Sequence, residues 1–186
     1  MQDIQFPANL LGSELTFTTT WGLFSPERID DGSALLLKYL GDTPEDANVL
    51  DLGCGYGALG IPIAKQLPQG HVTMVDTNFV AVEYANKNIQ LNNLSNAEAL
   101  LSNGLQHLPK DETYDLIVSN LPAKIGRELT QRFLDDAKAR LNPGGRVVVV
   151  VVKGLKDFIK RSFKDTFGDY KKLKQGPTHA VFQNRV

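Results

Sequence analysis

The strongest constraint on this chain is a hydrophobic strand that runs directly into a turn with glycine at every second position. Residues 49–57 read Val-Leu-Asp-Leu-Gly-Cys-Gly-Tyr-Gly, so Asp51 stands just before the first glycine. A second apolar run, residues 71–75, also ends in an acid, Asp76. Glycine lacks a Cβ, so the backbone of such a turn can approach a small ligand closely. Together these features predict a nucleoside-containing ligand at the carboxyl edge of a parallel sheet.

Short apolar runs alternate with helical patterns along the rest of the chain, as they do in sheets of buried parallel strands. Strands of the main sheet are predicted at residues 48–52, 71–75, 97–101, 114–119, 146–152 and 178–184. Helices are predicted at residues 33–40, 59–66, 78–92, 127–140 and 155–167. Residues 142–145, Asn-Pro-Gly-Gly, predict the turn between a helix and a strand. This order predicts an α/β fold with a doubly wound, mostly parallel sheet.

The first part of the chain has a different pattern. Residues 4–6 and 14–19 predict a β-hairpin outside the main sheet, with Asn-Leu-Leu-Gly between its strands. The whole chain of 186 residues is predicted to be one domain. No apolar run approaches the roughly 20 residues that a membrane span needs, and the first residues are too polar for a signal peptide. With a single cysteine, Cys54, the expected location is the cytoplasm, and no metal site is predicted.

Charge is divided unevenly along the chain. Residues 1–122 contain five Lys and Arg against 15 Asp and Glu, whereas residues 123–186 contain 15 against six. Such asymmetry is compatible with a polyanionic partner that meets the second half of the chain. It is equally compatible with basic side chains that face water on the C-terminal helices, and charge alone does not decide between the two interpretations.

The glycine turn fits two classes of cofactor. Gly53, Gly55 and Ala58 satisfy the dinucleotide pattern G-x-G-x-x-G/A. Asp51, however, would repel a pyrophosphate and attract the cationic methionine end of S-adenosylmethionine (SAM). Gly53, Gly55 and Gly57 would allow main-chain contact with either ligand. The carboxylate therefore favours SAM over a nicotinamide dinucleotide.

Two further strand ends extend this site. Asp76 could accept hydrogen bonds from both ribose hydroxyls, which either cofactor permits. Asn103, in the segment Leu-Ser-Asn-Gly after the predicted third strand, is a candidate for the adenine edge, with a plain turn as the alternative.

The strand at residues 114–119 ends in Asn120-Leu-Pro-Ala, which predicts methylation of an amine. The lone pair of an exocyclic amine is delocalised into its ring and must localise when the nitrogen attacks a methyl group. Two acceptors that hold the amine hydrogens favour this change and strengthen as positive charge develops. Asn120 Oδ1 and the Leu121 carbonyl are the predicted acceptors, and Pro122 holds Leu121 extended. The alternative is a loop that merely ends a strand.

These motifs, in this order, resemble those of class I SAM-dependent methyltransferases. Trp21-Gly-Leu-Phe-Ser, followed by Asp30 and then Gly-Ser at residues 32–33, narrows the resemblance to the "methyltransferase small" family. That family is typified by ribosomal RNA guanine-N2 methyltransferases, and the resemblance covers about residues 15–184.

The resemblance implies a seven-stranded Rossmann-like methyltransferase fold. It implies that Phe24 and Asp30 close over the cofactor and that Asn120 holds the target amine. Residues 1–32 would then form the hairpin and the cofactor-covering segment, and residues 33–186 the α/β core. Larger family members carry an additional N-terminal methyltransferase-like domain, so the resemblance implies a catalytic domain that stands alone.

One departure from the family affects the substrate. The family usually has Asn-Pro-Pro followed by an aromatic residue, which can stack on a flipped base. Here Ala123 stands in the aromatic position and cannot stack. Trp21 is a candidate replacement, while Lys124 and Arg127 are candidates for phosphate contacts or, alternatively, simply solvated charges.

The function predicted from the sequence is methyl transfer from SAM to an exocyclic amine of RNA, with guanine N2 of ribosomal RNA, free or in a ribosomal subunit, as the favoured target. A protein amide or a small-molecule amine is the alternative acceptor. Two other classes stay open at this point, an NAD-dependent oxidoreductase and a SAM- or RNA-binding module without transfer activity.

Overall fold

The computed structural model describes residues 2–124 and 126–186. In chain order its strands are β1 (Asp3–Leu10), β2 (Ser13–Thr20), β3 (Asn48–Leu52), β4 (His71–Asp76), β5 (Ala97–Leu101), β6 (Tyr114–Asn120), β7 (Leu141–Val152), β8 (Lys171–Gln175) and β9 (His179–Arg185). Its helices are α1 (Asp31–Tyr39), α2 (Gly60–Gln66), α3 (Phe79–Leu91), α4 (Arg127–Arg140) and α5 (Lys156–Phe167), with a short 3₁₀ turn at Lys153–Leu155.

The main sheet has seven strands in the order β5-β4-β3-β6-β7-β9-β8. Strands β3 to β7 pair in parallel, and β9 and β8 complete the sheet antiparallel. Alternate residues of each strand enter two separate cores. One contains side chains of α1, α2 and α3, and the other contains side chains of α4 and α5. The predicted doubly wound α/β fold is confirmed.

The valine run lies in the middle of this sheet. Val147 to Val151 are fully buried, because β7 is covered on both faces. The strand begins at Leu141, five residues before the predicted start at residue 146. Its pairing with β6 is interrupted, however, because Tyr114 pairs with Leu141 and the next pair joins Leu116 to Arg146. Residues 142–145 therefore loop out of the ladder, which is where the sequence predicted a turn.

The N-terminal hairpin forms its own two-stranded sheet, as predicted, with longer strands and a shorter turn than expected. Its turn consists only of Leu11 and Gly12, both with positive φ (51° and 78°). Two asparagines of α3 tie the hairpin to the core: Asn88 Oδ1 accepts from the Thr18 amide at 2.7 Å, and Asn92 Oδ1 accepts from the Thr16 amide at 3.0 Å. Asn88 Nδ2 also donates to the Tyr56 carbonyl at 3.0 Å, so the hairpin is fixed beside the glycine turn.

Strand β8 was not recognised in the sequence pattern. Its residues, Lys-Lys-Leu-Lys-Gln, contain one apolar side chain and lie at the sheet edge, where lysines discourage pairing with another chain. The resemblance, rather than the hydropathy pattern, implied a seventh strand. None of the helices in the described part of the chain is long and apolar enough to cross a membrane.

Candidate functional site

The glycine turn is held against the end of the neighbouring strand β4. The amides of Gly53 and Cys54 both donate to the Val75 carbonyl, at 2.9 and 3.0 Å. The Gly55 amide donates to Asp76 Oδ2 at 2.9 Å. The two strand ends that the sequence singled out are therefore joined directly.

The three glycines of the turn have different requirements. All have positive φ: 76° at Gly53, 56° at Gly55 and 96° at Gly57. A Cβ at Gly53 or Gly55 would meet open space, but at Gly57 it would lie 2.6 Å from Ile61 Cδ1. Gly57 is also buried. The need for glycine at position 57 is thus explained by the packing of α2, whereas the space beside Gly53 and Gly55 is open.

Asp51 is completely buried at the end of β3. Its Oδ2 accepts from the Gly60 amide at 2.8 Å, and its Oδ1 has no hydrogen-bond partner among the described residues. Burial raises the pKa of Asp51 to about 7, the Gly60 hydrogen bond opposes this rise, and the nearby Asp76 adds to it. From the sequence alone, an ordinary ionised carboxylate is expected at this position. Instead, this side chain changes its charge near neutral pH, and an adjacent cation would favour its ionised form.

Gly60, which the sequence analysis did not select, makes this arrangement possible. A Cβ there would collide with Met74 and lie 3.1 Å from Asp51 Oδ2. Its position as the first residue of α2, nine residues after Asp51, was the available signal.

Asp76 uses both carboxylate oxygens to organise the backbone around it. Oδ2 accepts from Gly55, and Oδ1 accepts from the Asn78 amide at 2.9 Å. The side chain is half-buried, and each carboxylate oxygen can accept a further hydrogen bond. Asn103 lies in the exposed loop after β5, the strand next to β4. That loop is shaped by buried Ser102, whose hydroxyl donates to the Gly104 carbonyl at 2.7 Å.

Asn120, at the end of β6, is tied to the start of α1. Its Nδ2 donates to Asp30 Oδ1 at 2.9 Å and to Ser33 Oγ at 3.1 Å. The same Asp30 oxygen caps α1, since it accepts from the amides of Gly32 and Ser33 at 2.9 and 3.0 Å. Asp30 is buried. Its Oδ1 is thus engaged with α1 and Asn120, and the role of Asp30 in closing over the cofactor stays a prediction.

The segment before Asp30 lies against the glycine turn through Tyr56, another residue that the sequence analysis missed. The Tyr56 hydroxyl lies 3.2 Å from the carbonyl oxygens of both Ser25 and Arg28. Trp21 and Phe24, in the same segment, have 59% and 71% of their surfaces exposed. Both side chains are therefore accessible at the surface. The available signal in the sequence was the aromatic residue Tyr56 between two glycines of the turn.

The residues after Asn120 leave the sheet in a defined direction. The Leu121 amide donates to the Val150 carbonyl at 3.0 Å, and its side chain is buried. Pro122, Ala123 and Lys124 are exposed. Arg127 begins α4, and its guanidinium lies 5.7 Å from the centre of the Phe158 ring.

Comparison with known proteins gives the family. The family model described as methyltransferase small domain matches residues 14–183. The chain belongs to this family. The family predicted from the sequence is confirmed, and with it the enzyme class, a methyltransferase.

Two curated relatives of this chain are named as ribosomal RNA methyltransferases. The ribosomal RNA small subunit methyltransferase C of Hamiltonella defensa is 33% identical over 174 residues, which are 91% of this chain and 50% of that protein. The ribosomal RNA large subunit methyltransferase G of Shewanella amazonensis is 32% identical over 177 residues, 91% of this chain and 45% of that protein. The chain thus spans about half the length of these relatives.

A solved structure has the same fold over the whole length of this chain. The 16S rRNA N2 methyltransferase RsmC of T. thermophilus, in complex with AdoMet and guanosine, superposes with a TM-score of 0.91 at 32% identity. The match covers 100% of this chain and 51% of that one. The ribosomal protein L11 methylase of Lactobacillus delbrueckii, with a TM-score of 0.69 at 21% identity, shares the fold.

Proposed function

We propose that this chain transfers a methyl group from SAM to an exocyclic amine of RNA, with guanine N2 of ribosomal RNA as the target. The observation that carries the proposal is the orientation of Asn120. Its amide nitrogen is committed to Asp30 and Ser33, so its Oδ1 is the atom left to accept from a substrate amine.

The residues at the glycine turn fit SAM. Asp51 Oδ1 is buried without a hydrogen-bond partner in the described part of the chain, which suits a cationic group of the ligand, and the open space beside Gly53 and Gly55 allows a ligand to approach the backbone. Asp76 is the partner for ribose hydroxyls, and Asn103 for the adenine edge. Bound SAM supplies an electrophilic methyl group on its sulfonium. In this proposal, residues 1–32 cover the cofactor, with Phe24 at the rim, and residues 33–186 form the core.

Asn120 and Leu121 act on the amine. Asn120 Oδ1 and the Leu121 carbonyl each accept one amine hydrogen, which favours a tetrahedral nitrogen over a planar one. These two hydrogen bonds strengthen as positive charge develops on nitrogen, so they stabilise the transition state more than the ground state. Pro122 keeps Leu121 extended, and the Leu121 amide is held by Val150.

The transfer balances without a general base. The nitrogen–carbon bond forms as the carbon–sulfur bond breaks, and the nitrogen then carries one extra proton. That proton leaves to water after methyl transfer. The site therefore needs acceptors for amine hydrogens more than it needs a group that removes a proton.

Two relatives support ribosomal RNA as the substrate: both are named ribosomal RNA methyltransferases, and the solved N2 methyltransferase contains guanosine as well as AdoMet. One observation favours a second acceptor, a protein amide or small-molecule amine. The exposed Ala123 offers no ring on which a flipped base can stack. Exposed Trp21 is the proposed platform if the acceptor is a base.

The direct test is incubation of the full chain with methyl-tritiated SAM and one of two acceptors, either free ribosomal RNA or assembled ribosomal subunits. Both acceptors come from a strain that lacks the protein. Nucleoside digestion should give labelled N2-methylguanosine. Label in another methylated nucleoside would change the target base, and label confined to protein or small molecules would reject RNA as the acceptor. No transfer despite SAM binding would favour a binding module.

A further inference from the structure

Basic side chains gather on one side of the edge that carries Asn120. The α4–α5 basic surface comprises Lys124, Arg127, Lys153, Lys156 and Arg161. Helices α4 and α5 follow β6 and β7, so both begin at the carboxyl edge of the sheet. Lys124 is four residues after Asn120, and Lys153 follows β7, the strand that pairs with β6.

The centre of this surface is a groove between α4 and α5. Arg127, Phe158 and Arg161 line it, and its volume is about 360 Å³. The Phe158 ring supports the Arg127 guanidinium at 5.7 Å, an arrangement that orients the planar guanidinium. Two acids, Glu128 and Asp165, also line the groove. A third acid, Asp157, pairs with Lys160 and lies near Lys156 and Arg161. Five basic side chains against three acids leave this surface with a net positive charge.

The five basic residues are not neutralised by ion pairs. The described ion pairs with nitrogen–oxygen distances up to 4.0 Å join Arg28 to Asp31, His71 to Glu98, Arg132 to Asp136 and Lys160 to Asp157. Within residues 2–124 and 126–186, none of the five basic side chains takes part in such a pair. Arginine at the groove can bind a phosphate through two parallel hydrogen bonds.

The remainder of the molecule carries the opposite charge. Residues 1–122, which include α1, α2 and α3, contain 15 acids against five basic residues. Helices α2 and α3 themselves carry only Lys65, Glu83 and Lys87, so the basic side chains at the active edge are concentrated on the α4–α5 side. A polyanion is therefore attracted to the α4–α5 side of this edge.

We propose that the α4–α5 basic surface binds the RNA phosphates that flank the target nucleotide, so that RNA enters the site from this side. This inference rests on the proposed function. A base must leave its stack to reach Asn120, and its flanking phosphates then lie near the site. Lys124, Arg127 and Arg161 hold the backbone there, while Asn120 and Leu121 hold the amine.

A second basic cluster provides a matched control. Lys171 and Lys172 are exposed on edge strand β8. Lys171 pairs with Gln183, whereas Gln175 pairs with Ala180, close to the end of β9 that lies at the active edge. The first half of β8 thus lies away from Asn120. A double substitution there removes the same charge as one at Arg127 and Arg161.

The test compares Arg127→Gln/Arg161→Gln with Lys171→Gln/Lys172→Gln in the full chain. Binding of a fluorescent RNA hairpin with guanine in its loop is measured by anisotropy at several salt concentrations. In single-stranded RNA, each lost phosphate contact lowers the slope of log Kd against log salt by about 0.7. We expect the slope to fall by about 1.4 for the first variant and not for the second. Calorimetry with SAM should give the wild-type affinity for both variants.

Equal losses in the two variants, or a larger loss in the β8 variant, would overturn this assignment. Competition by polyglutamate as strong as that by RNA of equal charge would assign the surface to an acidic protein partner instead. Failure of the proposed function gives a different result: the wild-type chain makes no N2-methylguanosine even though the α4–α5 variant loses RNA binding selectively.

Discussion

Asn120 Nδ2 lies 2.9 Å from Asp30 Oδ1, and this hydrogen bond joins the end of β6 to the cap of α1. Asp30 Oδ1 also accepts from two backbone amides, so it acts as an acceptor and the nitrogen of the Asn120 amide must face it. The orientation of the proposed acceptor Oδ1 is therefore set by a residue 90 positions away in the sequence.

Asn120→Ala should lower kcat for methyl transfer by about 10²- to 10³-fold, because one acceptor that stabilises the developing charge is lost. The affinity for SAM should stay within about twofold of the wild type. Asn103→Ala is the matched comparison and should weaken SAM binding with a smaller effect on kcat. Single-turnover transfer and calorimetry measure the two quantities. Near-normal transfer by Asn120→Ala at equal SAM affinity would remove Asn120 from the mechanism.

Substitutions of Asp30 should separate helix capping from the orientation of Asn120. Asp30→Ala should cost about 1 kcal/mol of stability, the usual value for a lost N-cap, and lower kcat. Asp30→Ser should regain stability because serine also caps helices, but its shorter side chain should leave kcat about 10- to 100-fold low, since small misplacements are costly.

Asp31→Ala is the control for the Asp30 variants, because Asp31 is exposed and its ion pair with Arg28 lies at the surface. Urea unfolding and kcat are measured for all three variants. If kcat in Asp30→Ser recovers together with stability, Asp30 acts only as a cap.

Sequence patterns were informative where a local rule determines the structure. The buried parallel strands and the glycine turn were located from hydropathy and spacing, and helix α4 begins and ends at its predicted residues. The contacts of Asp30 and Tyr56 could not be obtained this way, because they join segments distant in sequence. Strand β8 was missed because its lysines suit an exposed sheet edge and do not give the hydrophobic pattern of a buried strand. The changed pKa of Asp51 depends on how completely the fold buries it.

The glycines of the turn should respond differently to alanine. Gly57→Ala should destabilise the protein by about 2–5 kcal/mol, because the roughly 1–2 kcal/mol of a left-handed residue adds to the about 1–3 kcal/mol of a Cβ that collides with Ile61 in a packed core. Gly53→Ala should cost only the roughly 1–2 kcal/mol of a left-handed residue, since its Cβ meets open space. It should, however, weaken SAM binding, because that space is where we propose the ligand lies.

Urea unfolding and SAM calorimetry on the two glycine variants give the comparison. A Gly53→Ala protein with wild-type SAM affinity would show that the cofactor does not approach this part of the turn.

The buried carboxyl of Asp51 should make SAM binding depend on pH. Because its pKa is about 7 without ligand, the side chain is largely protonated at pH 5.5, and a cationic ligand must displace that proton. The Kd for SAM should therefore fall as pH rises from 5.5 and level off above about pH 7, with up to one proton released per SAM bound at the low end. Calorimetry in buffers of different ionisation enthalpy measures this release.

Without ligand, the same group should affect stability in the opposite sense. A carboxyl whose pKa is higher in the folded state binds its proton more tightly there, so folding is favoured at low pH. That contribution is lost as pH rises from about 4 to about 7, by up to about 4 kcal/mol for a shift of this size. Asp51→Asn cannot titrate, so it should lack both the proton release and this slope in urea unfolding. A wild-type protein whose SAM affinity and stability follow those of Asp51→Asn across this range would show that Asp51 ionises normally.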